Sequence, residues 1–193
     1  QDSAFARKLA PLKRTDKAFS PRAGLVWQPT EMASYYISYS RSFQPSAESF
    51  GLAANNAENK PEVTANREIG AKLDFLEGAI SLNASLFNLV RSDVKTSDPS
   101  KPNGLINAGE QTTKGLELSV NGRVAQTWDI SAGYAYLDGR FSKSNSTVAA
   151  PQAAFPAQAV QIRIEGKRPS LTPKHAAFVW ASKQLGAGFS VAA

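Results

Sequence analysis

Cysteine is absent from the 193-residue chain, and histidine occurs once. Without thiols there is no disulfide framework and no thiolate metal centre, and one histidine cannot build a histidine-rich one. Long hydrophobic runs are missing as well, since no stretch approaches the ~18 apolar residues of a membrane-crossing helix. The opening residues, QDSAFARKLAPLKRTDKAFSP, lack the apolar centre of a signal peptide, so any export signal is expected to lie upstream of them. Catalytic patterns are lacking too. His175 stands in TPKHAA with no serine or aspartate at a motif spacing, which suits a strand-start residue and not a catalytic base. GAGFS misses both the G-x-G-x-x-G spacing and the helix that must follow it, and EGKRPS and GEQTTKG do not match a phosphate-binding loop. The triplets NAS and NST fit a glycosylation acceptor, a pattern common by chance. The expectation is no enzyme, with no catalytic residue, no cofactor and no resident metal.

Charge of one sign is in modest excess, with a net charge of +6 and a pI near 9.6. That balance invites a nucleic-acid partner. The cations are scattered, however, apart from Arg7, Lys8, Lys13, Arg14 and Lys17. Pro11 and Asp16 interrupt that cluster, and only Phe5 and Phe19 neighbour it, so it reads as a solvated loop with no nucleic-acid role. Hydrophobic residues make up 42% of the chain and aromatics 9%, which excludes a disordered composition.

What the chain does have is a period of two. In EGAISLNASLF (residues 77–87), Ile80, Leu82, Ala84 and Leu86 fall on one parity, and Ser81, Asn83 and Ser85 on the other. Strand side chains alternate between faces, so such a segment has one apolar and one wet face. NREIGAKLDFL repeats this with Ile69, Ala71, Leu73 and Phe75 against Glu68, Gly70, Lys72 and Asp74. KGLELSVNGR sets Leu116, Leu118 and Val120 against Glu117, Ser119 and Asn121, and DISAGYAYLD aligns Ile130, Ala132, Tyr134 and Tyr136. MASYYISYS and SPRAGLVWQP follow suit, whereas KHAAFVWASKQ is apolar on both parities and its facing stays open.

Connections alternate in length. Short turns are expected at QPTE, at Glu77–Gly78, at NGRVAQT and at QLGAG, and long links over 44–64, 97–104 and 142–172. Residues 79–98 and 103–123 contain no strong breaker. A soluble strand runs about 5–6 residues, whereas a tilted membrane strand needs about 9–11 and can project beyond the bilayer. Trp27, Phe75 and Trp128 sit beside short turns, and Tyr39, Phe43, Tyr136 and Phe141 toward loop ends, as two interfacial belts would place them. Alternation alone fits a one-sided sandwich equally well. Strand length and loop asymmetry favour a membrane barrel with its polar parity toward water.

At these residues the chain resembles the C-terminal barrel half of TonB-dependent siderophore receptors of the Gram-negative outer membrane. The stretches that carry the resemblance are FSPRAGLVWQP, SYYISYSRSFQPS, KPEVTANREIGAKLDFLEGAISLNASLFNLVRSDVKTSDP, AGEQTTKGLELSVNGRV, WDISAGYAYLDGRF and PKHAAFVWASKQL, in that order. The resemblance implies an all-β fold: an antiparallel up-and-down meander of about 7–8 long strands, an open segment of a 22-stranded transmembrane β-barrel. Residues 1–193 would be a single partial barrel region, with the family's plug domain and closing strands absent from the stretch. It implies a receptor that binds ferric siderophores and passes them to the periplasm, iron entering only as part of that cargo. The expected partners are the siderophore, the TonB energy-transducing protein acting through the absent plug, and outer-membrane lipid with lipopolysaccharide.

For ligand contact, the residues at strand tops or in loops are Arg41, Phe43, Phe50, Arg91, Arg140 and Phe141. Aromatic stacking, cation–π contact and charge attraction suit a bulky anionic chelate. Arg91 and Arg140, where long strands meet loops, are expected to attract it. Interface anchoring for the aromatics and lipopolysaccharide-facing charge for the arginines are the plainer roles. Two rival folds stay open: a self-contained eight-stranded outer-membrane barrel acting as adhesin or anchor, and a soluble β-sandwich binding carbohydrate. An open sheet would leave two unpaired edges and an apolar surface, and is not expected to fold as a soluble functional unit.

Overall fold

The computed structural model describes residues 15–45, 59–101, 104–149 and 161–193, and every regular element there is a strand. In chain order these are β1 (Arg22–Thr30), β2 (Ala33–Gln44), β3 (Glu62–Phe75), β4 (Ile80–Ser97), β5 (Leu105–Ala125) and β6 (Trp128–Lys143). The short β7 (Thr147–Ala149) and β8 (Gln161–Arg163) follow, then β9 (His175–Gly186) and β10 (Phe189–Ala192). Eight strands form one antiparallel sheet in the order β1-β2-β3-β4-β5-β6-β9-β10, and β7 pairs with β8 beside it. Neighbours in sequence are neighbours in space, as a meander requires.

Both expected long strands form, at 18 residues for β4 and 21 for β5. At ~3.3 Å per residue, β5 reaches ~70 Å, far more than a sandwich strand. The expected short connections fall at 31–32, 76–79, 126–127 and 187–188, all at one end of the sheet. β1 and β5 run a few residues further than the sequence suggests, so their turns are tighter than QPTE and NGRVAQT. Leu76 and Glu77 adopt φ of 52° and 56°, and the Gly78 amide donates to the Phe75 carbonyl at 3.2 Å. That geometry has the hand that matches strand twist.

The long connections share the other end. The one before β9 is more than a loop: it contains the β7–β8 pair, which its composition did not announce. It then runs back along the part of β6 that overshoots β9. The Phe141 amide donates to the Lys167 carbonyl at 2.9 Å, the Gly166 amide to the Phe141 carbonyl at 2.7 Å, and the Leu137 amide to the Lys174 carbonyl at 2.9 Å. An otherwise bare strand edge is thereby closed.

Register carries the alternation across strands. Leu73, Leu82, Val120, Ala132 and Val179 form one row of direct partners, and Lys72, Asn83, Ser119, Gly133 and Phe178 the adjacent row on the opposite face. This settles β9, whose facing the sequence left open. Ala177, Val179 and Ala181 join the apolar face, and Phe178 and Trp180 the polar one.

Among the described residues no hydrophobic side chain is buried, while Leu25 is 70%, Ile37 57%, Ile69 57% and Leu86 57% exposed. Among the described residues no second layer covers the apolar face, whereas a sandwich needs that face packed, so the described sheet is not one. No ladder joins β1 to β10 among the described residues, so the closed eight-stranded barrel is excluded too.

Candidate functional site

The polar face is built by strand pairing, because partners across a ladder bring short polar side chains within hydrogen-bonding reach. Midway along it lies an open hollow of about 450 Å³ lined by Tyr36, Glu68, Lys72, Asn83, Glu117 and Phe178, among others. The Tyr36 hydroxyl donates to Glu68 Oε1, and Asn66 Nδ2 donates to Glu68 Oε2 at 3.2 Å. Nearer the short turns, Ser131 Oγ donates to Asn121 Oδ1 at 2.6 Å. The arrangement offers hydrogen-bond donors and acceptors, side chains of both charges and the aromatic rings of Tyr36 and Phe178 to a polar solute. Among the described residues there is no cluster of metal-binding side chains.

Sequence reasoning missed Tyr36 and Phe178 on this face. Tyr36 lies over Gly70, where an added Cβ would fall 2.5 Å from its ring, and Phe178 covers Gly133 in the same way. A strand glycine lets a neighbouring ring lie flat on the sheet. The available signal was Gly70 and Gly133 standing on the wet parity, opposite aromatic residues once the register is known.

Toward the long connections, the polar face becomes a charged rim. Arg91 pairs with Glu62, whose side chain is 10% exposed, and the Lys95 amide donates to the same carboxylate at 3.3 Å. A bulge at Asp93, with φ of 56°, turns the top of β4. Asn107 holds that top by donating to the carbonyls of Asp93 at 2.7 Å and Lys60 at 3.0 Å. Beyond it, Thr96, 2% exposed, meets the hydroxyls of Ser144 at 3.2 Å and Ser146 at 2.9 Å and accepts the Asn145 amide at 2.8 Å. The β6–β9 connection is thus tied onto β4.

The residues singled out from sequence do not form one constellation. Arg91 and Phe141 lie on the polar face, in the row Thr64, Arg91, Gln111 and Phe141. Arg41 and Arg140 lie on the opposite face, in the row Arg41, Ala65, Val90, Thr112 and Arg140, and Phe43 lies there too, opposite Val63. Arg140 sits 3.4 Å from Asp138. Phe50 lies outside the described residues.

That face changes character along each strand. Reading β6 away from its short turn, Trp128, Ile130, Ala132, Tyr134 and Tyr136 give way to Asp138 and Arg140. The same switch occurs at Arg67 on β3, Asn88 on β4 and Lys114 on β5, all in the Asp138 row. The eight residue steps from Trp128 to Tyr136 span ~27 Å along the strand, or ~20 Å of height at a 35–45° tilt.

Residues 1–192 match the family described as "TonB dependent receptor-like, beta-barrel". The chain is 31% identical over 171 residues to the "Probable TonB-dependent siderophore receptor PiuA" of Acinetobacter baumannii, covering 85% of this chain and 22% of that protein. It is 30% identical over 134 residues to the "Metal-pseudopaline receptor CntO" of Pseudomonas aeruginosa, covering 69% of this chain and 18% of that one. The crystal structure of the siderophore receptor PiuA from Acinetobacter baumannii superimposes with a TM-score of 0.75 at 30% identity, over 90% of this chain and 25% of that chain. The chain therefore spans about a quarter or less of the length of these proteins.

Proposed function

Because the chain belongs to the TonB-dependent receptor β-barrel family, we propose that it forms part of the wall of an outer-membrane receptor that takes up ferric siderophores. The observation that carries this reading is the two-faced sheet of long strands with no buried hydrophobic side chain among the described residues. Such a sheet satisfies its backbone inside a barrel, sets its apolar face against acyl chains and turns its polar face to a water-filled lumen. The short turns then face the periplasm and the long connections the cell exterior. Energy reaches this wall from the TonB protein through the family's plug domain, and the wall itself performs no covalent chemistry.

Arg91 and Phe141 stand on the lumen face where the strands rise toward the outer connections, so they are the contacts assigned to the incoming chelate. A cation and an aromatic ring suit an anionic, aryl-bearing complex. Arg41, Phe43 and Arg140 face away from the lumen at similar height and are assigned to the outer membrane–water boundary, with lipid and lipopolysaccharide as neighbours.

The test is uptake of the radiolabelled metal of each complex by iron-starved Gram-negative cells that carry or lack the full-length gene. Catecholate, hydroxamate and pyoverdine-type complexes are supplied, together with a non-iron metallophore complex because of the likeness to a metal-pseudopaline receptor. Loss of uptake of one complex on deletion, and its abolition by a proton uncoupler, is the expected result. Unchanged uptake of every complex overturns the assignment.

A further inference from the structure

We propose that the projecting top of β4 and β5 is a fixed post to which both flanking connections are fastened, so that the part of the outer mouth carrying Arg91 and Phe141 is preformed and does not move during uptake. The proposal rests on the receptor reading, and it makes Asn107 and Thr96 positioning residues for the cargo.

Register defines the post. Pairing of β3 with β4 ends at Val63 and Ser92, and pairing of β5 with β6 ends at Glu110 and Lys143. β4 and β5 continue together to Ser97 and Leu105. That is about five residues further on each strand, or ~17 Å. A two-stranded ribbon standing alone in water is marginally stable, so this one needs support from its sides.

Support comes at two junctions. On the β3 side, the Asn107 side-chain amide meets both backbone groups of Lys60, accepting its N–H at 2.7 Å and donating to its carbonyl at 3.0 Å. Those are the two bonds that a residue of a neighbouring strand would make. Beside it, Glu62 accepts from both Arg91 and the Lys95 amide. On the β6 side, Thr96 gathers Ser144, Asn145 and Ser146, and the Ser97 amide donates to Ser146 Oγ at 3.0 Å. The β7–β8 ladder then joins this limb to the returning one, as does the Ile164 amide, which donates to the Ser146 carbonyl at 3.2 Å. The returning limb takes both backbone groups of Phe141, through Gly166 and Lys167.

Burial singles out the same places. In a sheet without a hydrophobic core, the buried side chains among the described residues are Asn59 and Glu62 at one junction and Thr96 and Ser144 at the other. Elements that move in a functional step are drawn from exposed, weakly held segments, and these junctions are the opposite. The groups that Thr96 and Asn107 engage are uncharged, so neither a proton near neutral pH nor added salt releases them. Arg91 and Phe141 are thereby set in one frame before the cargo arrives, and contacts held in advance lose less freedom on binding.

The experiment uses the full-length receptor in iron-starved cells, supplied with the labelled catecholate, hydroxamate, pyoverdine-type and metallophore complexes. Thr96→Cys/Ser146→Cys replaces two hydroxyls 2.9 Å apart, and oxidation should join them in a disulfide. Uptake by the oxidised protein should stay within about twofold of uptake by the reduced protein, because no lid has been locked. Oxidation that arrests uptake, with recovery on adding reductant, shows a moving lid and overturns the proposal, as does a pair that fails to cross-link. Asn107→Ala should raise the half-saturating concentration of the complex roughly tenfold at unchanged maximal uptake, since preorganisation and not receptor number is lost. A folding defect lowers the maximum instead, and an unchanged half-saturating concentration overturns the role of Asn107. A wild type that takes up none of the complexes sinks the receptor reading and this one together, whereas arrest on oxidation sinks the fixed mouth alone.

Discussion

Val120 and Ser119 are adjacent on β5 and face opposite ways, Val120 between Leu82 and Ala132, Ser119 between Asn83 and Gly133. They share a strand and a height, so an arginine placed at each compares the two faces directly. Val120 is the middle of the apolar series Leu116, Leu118, Val120, Gly122 and Val124, hence close to the bilayer midplane. Arginine there should cost ~2–4 kcal/mol. At Ser119 it loses one bond, from Asn83 Nδ2 at 3.4 Å, the outer limit of such contacts. That is worth less than ~1 kcal/mol, because the guanidinium extends into water. Val120→Arg should therefore exceed Ser119→Arg by at least ~1–3 kcal/mol, roughly fivefold to 150-fold in the folding equilibrium. Leu116→Arg, four residues nearer the charged row, should cost only ~0–1 kcal/mol. The assay is reversible guanidinium unfolding of the full-length protein in phospholipid vesicles, followed by tryptophan fluorescence. Equal costs at Val120 and Ser119, or a larger cost at Ser119, would refute the assignment of lipid and lumen faces.

Gly122, at φ of 152°, packs so that an added Cβ would strike the Ala79 carbonyl and the Ile80 backbone. Gly122→Ala should destabilise the barrel by roughly 2–4 kcal/mol, read as a lower midpoint in the same unfolding assay, and wild-type stability would contradict the register. Arg91→Gln leaves the mostly buried Glu62 carboxylate without its cation; since Arg91 is 36% exposed, the loss should be ~1–3 kcal/mol. Faster hydrogen exchange confined to the upper ends of β3 and β4 would show it, and Glu62→Gln in the same protein should recover part of the protection. Asp98, outside the strands, has its carboxyl held below the ordinary 3.8 by the Ser100 hydroxyl and amide, which donate at 2.6 and 2.8 Å. A lowered folded-state pKa means that this contact stabilises the turn at neutral pH and is lost as pH falls through the lowered value. Carboxyl-carbon NMR titration should move the Asp98 midpoint back toward 3.8 in Ser100→Ala.

The meander was legible because its signal is local. Ile80, Leu82, Ala84 and Leu86 declare a face without any knowledge of their partners, and TTKG through NGR gives β5 no reason to break. What the sequence could not disclose depends on register. Phe178 and Val179 are equally apolar, and only pairing with Gly133 and Ala132 assigns them to opposite faces. Arg91 and Arg140 both stand where strands meet loops, yet even spacing within their strands puts Arg91 with the polar parity of Ser85 and Arg140 with the apolar parity of Tyr136. Attention to parity alone would have separated them. The β7–β8 pair joins three-residue segments too short to show a period, and the tie from Thr96 to Ser144 and Ser146 bridges about fifty positions through short hydroxyl side chains, which carry no pattern that foretells their partners.

The absence of a core and the proposed role have a common cause. Ordering a residue costs about 1–2 kcal/mol of backbone entropy, and soluble domains offset this chiefly by burying apolar area. Here Ile37, Ile69 and Leu86 remain 57% exposed and no hydrophobic residue is buried among the described residues. Ladder hydrogen bonds alone contribute about 1 kcal/mol each in water, where the unfolded backbone is already satisfied. In hydrocarbon the balance reverses: an unpaired amide or carbonyl costs several kcal/mol, so pairing becomes obligatory and the exposed apolar stripe becomes an asset. The same stripe in water would drive aggregation. A sheet whose stability depends on a solvent of two kinds must stand where those solvents meet. In the proposed receptor its polar side, which carries Glu68, Lys72 and Glu117, is the water-wetted wall along which a hydrophilic cargo passes.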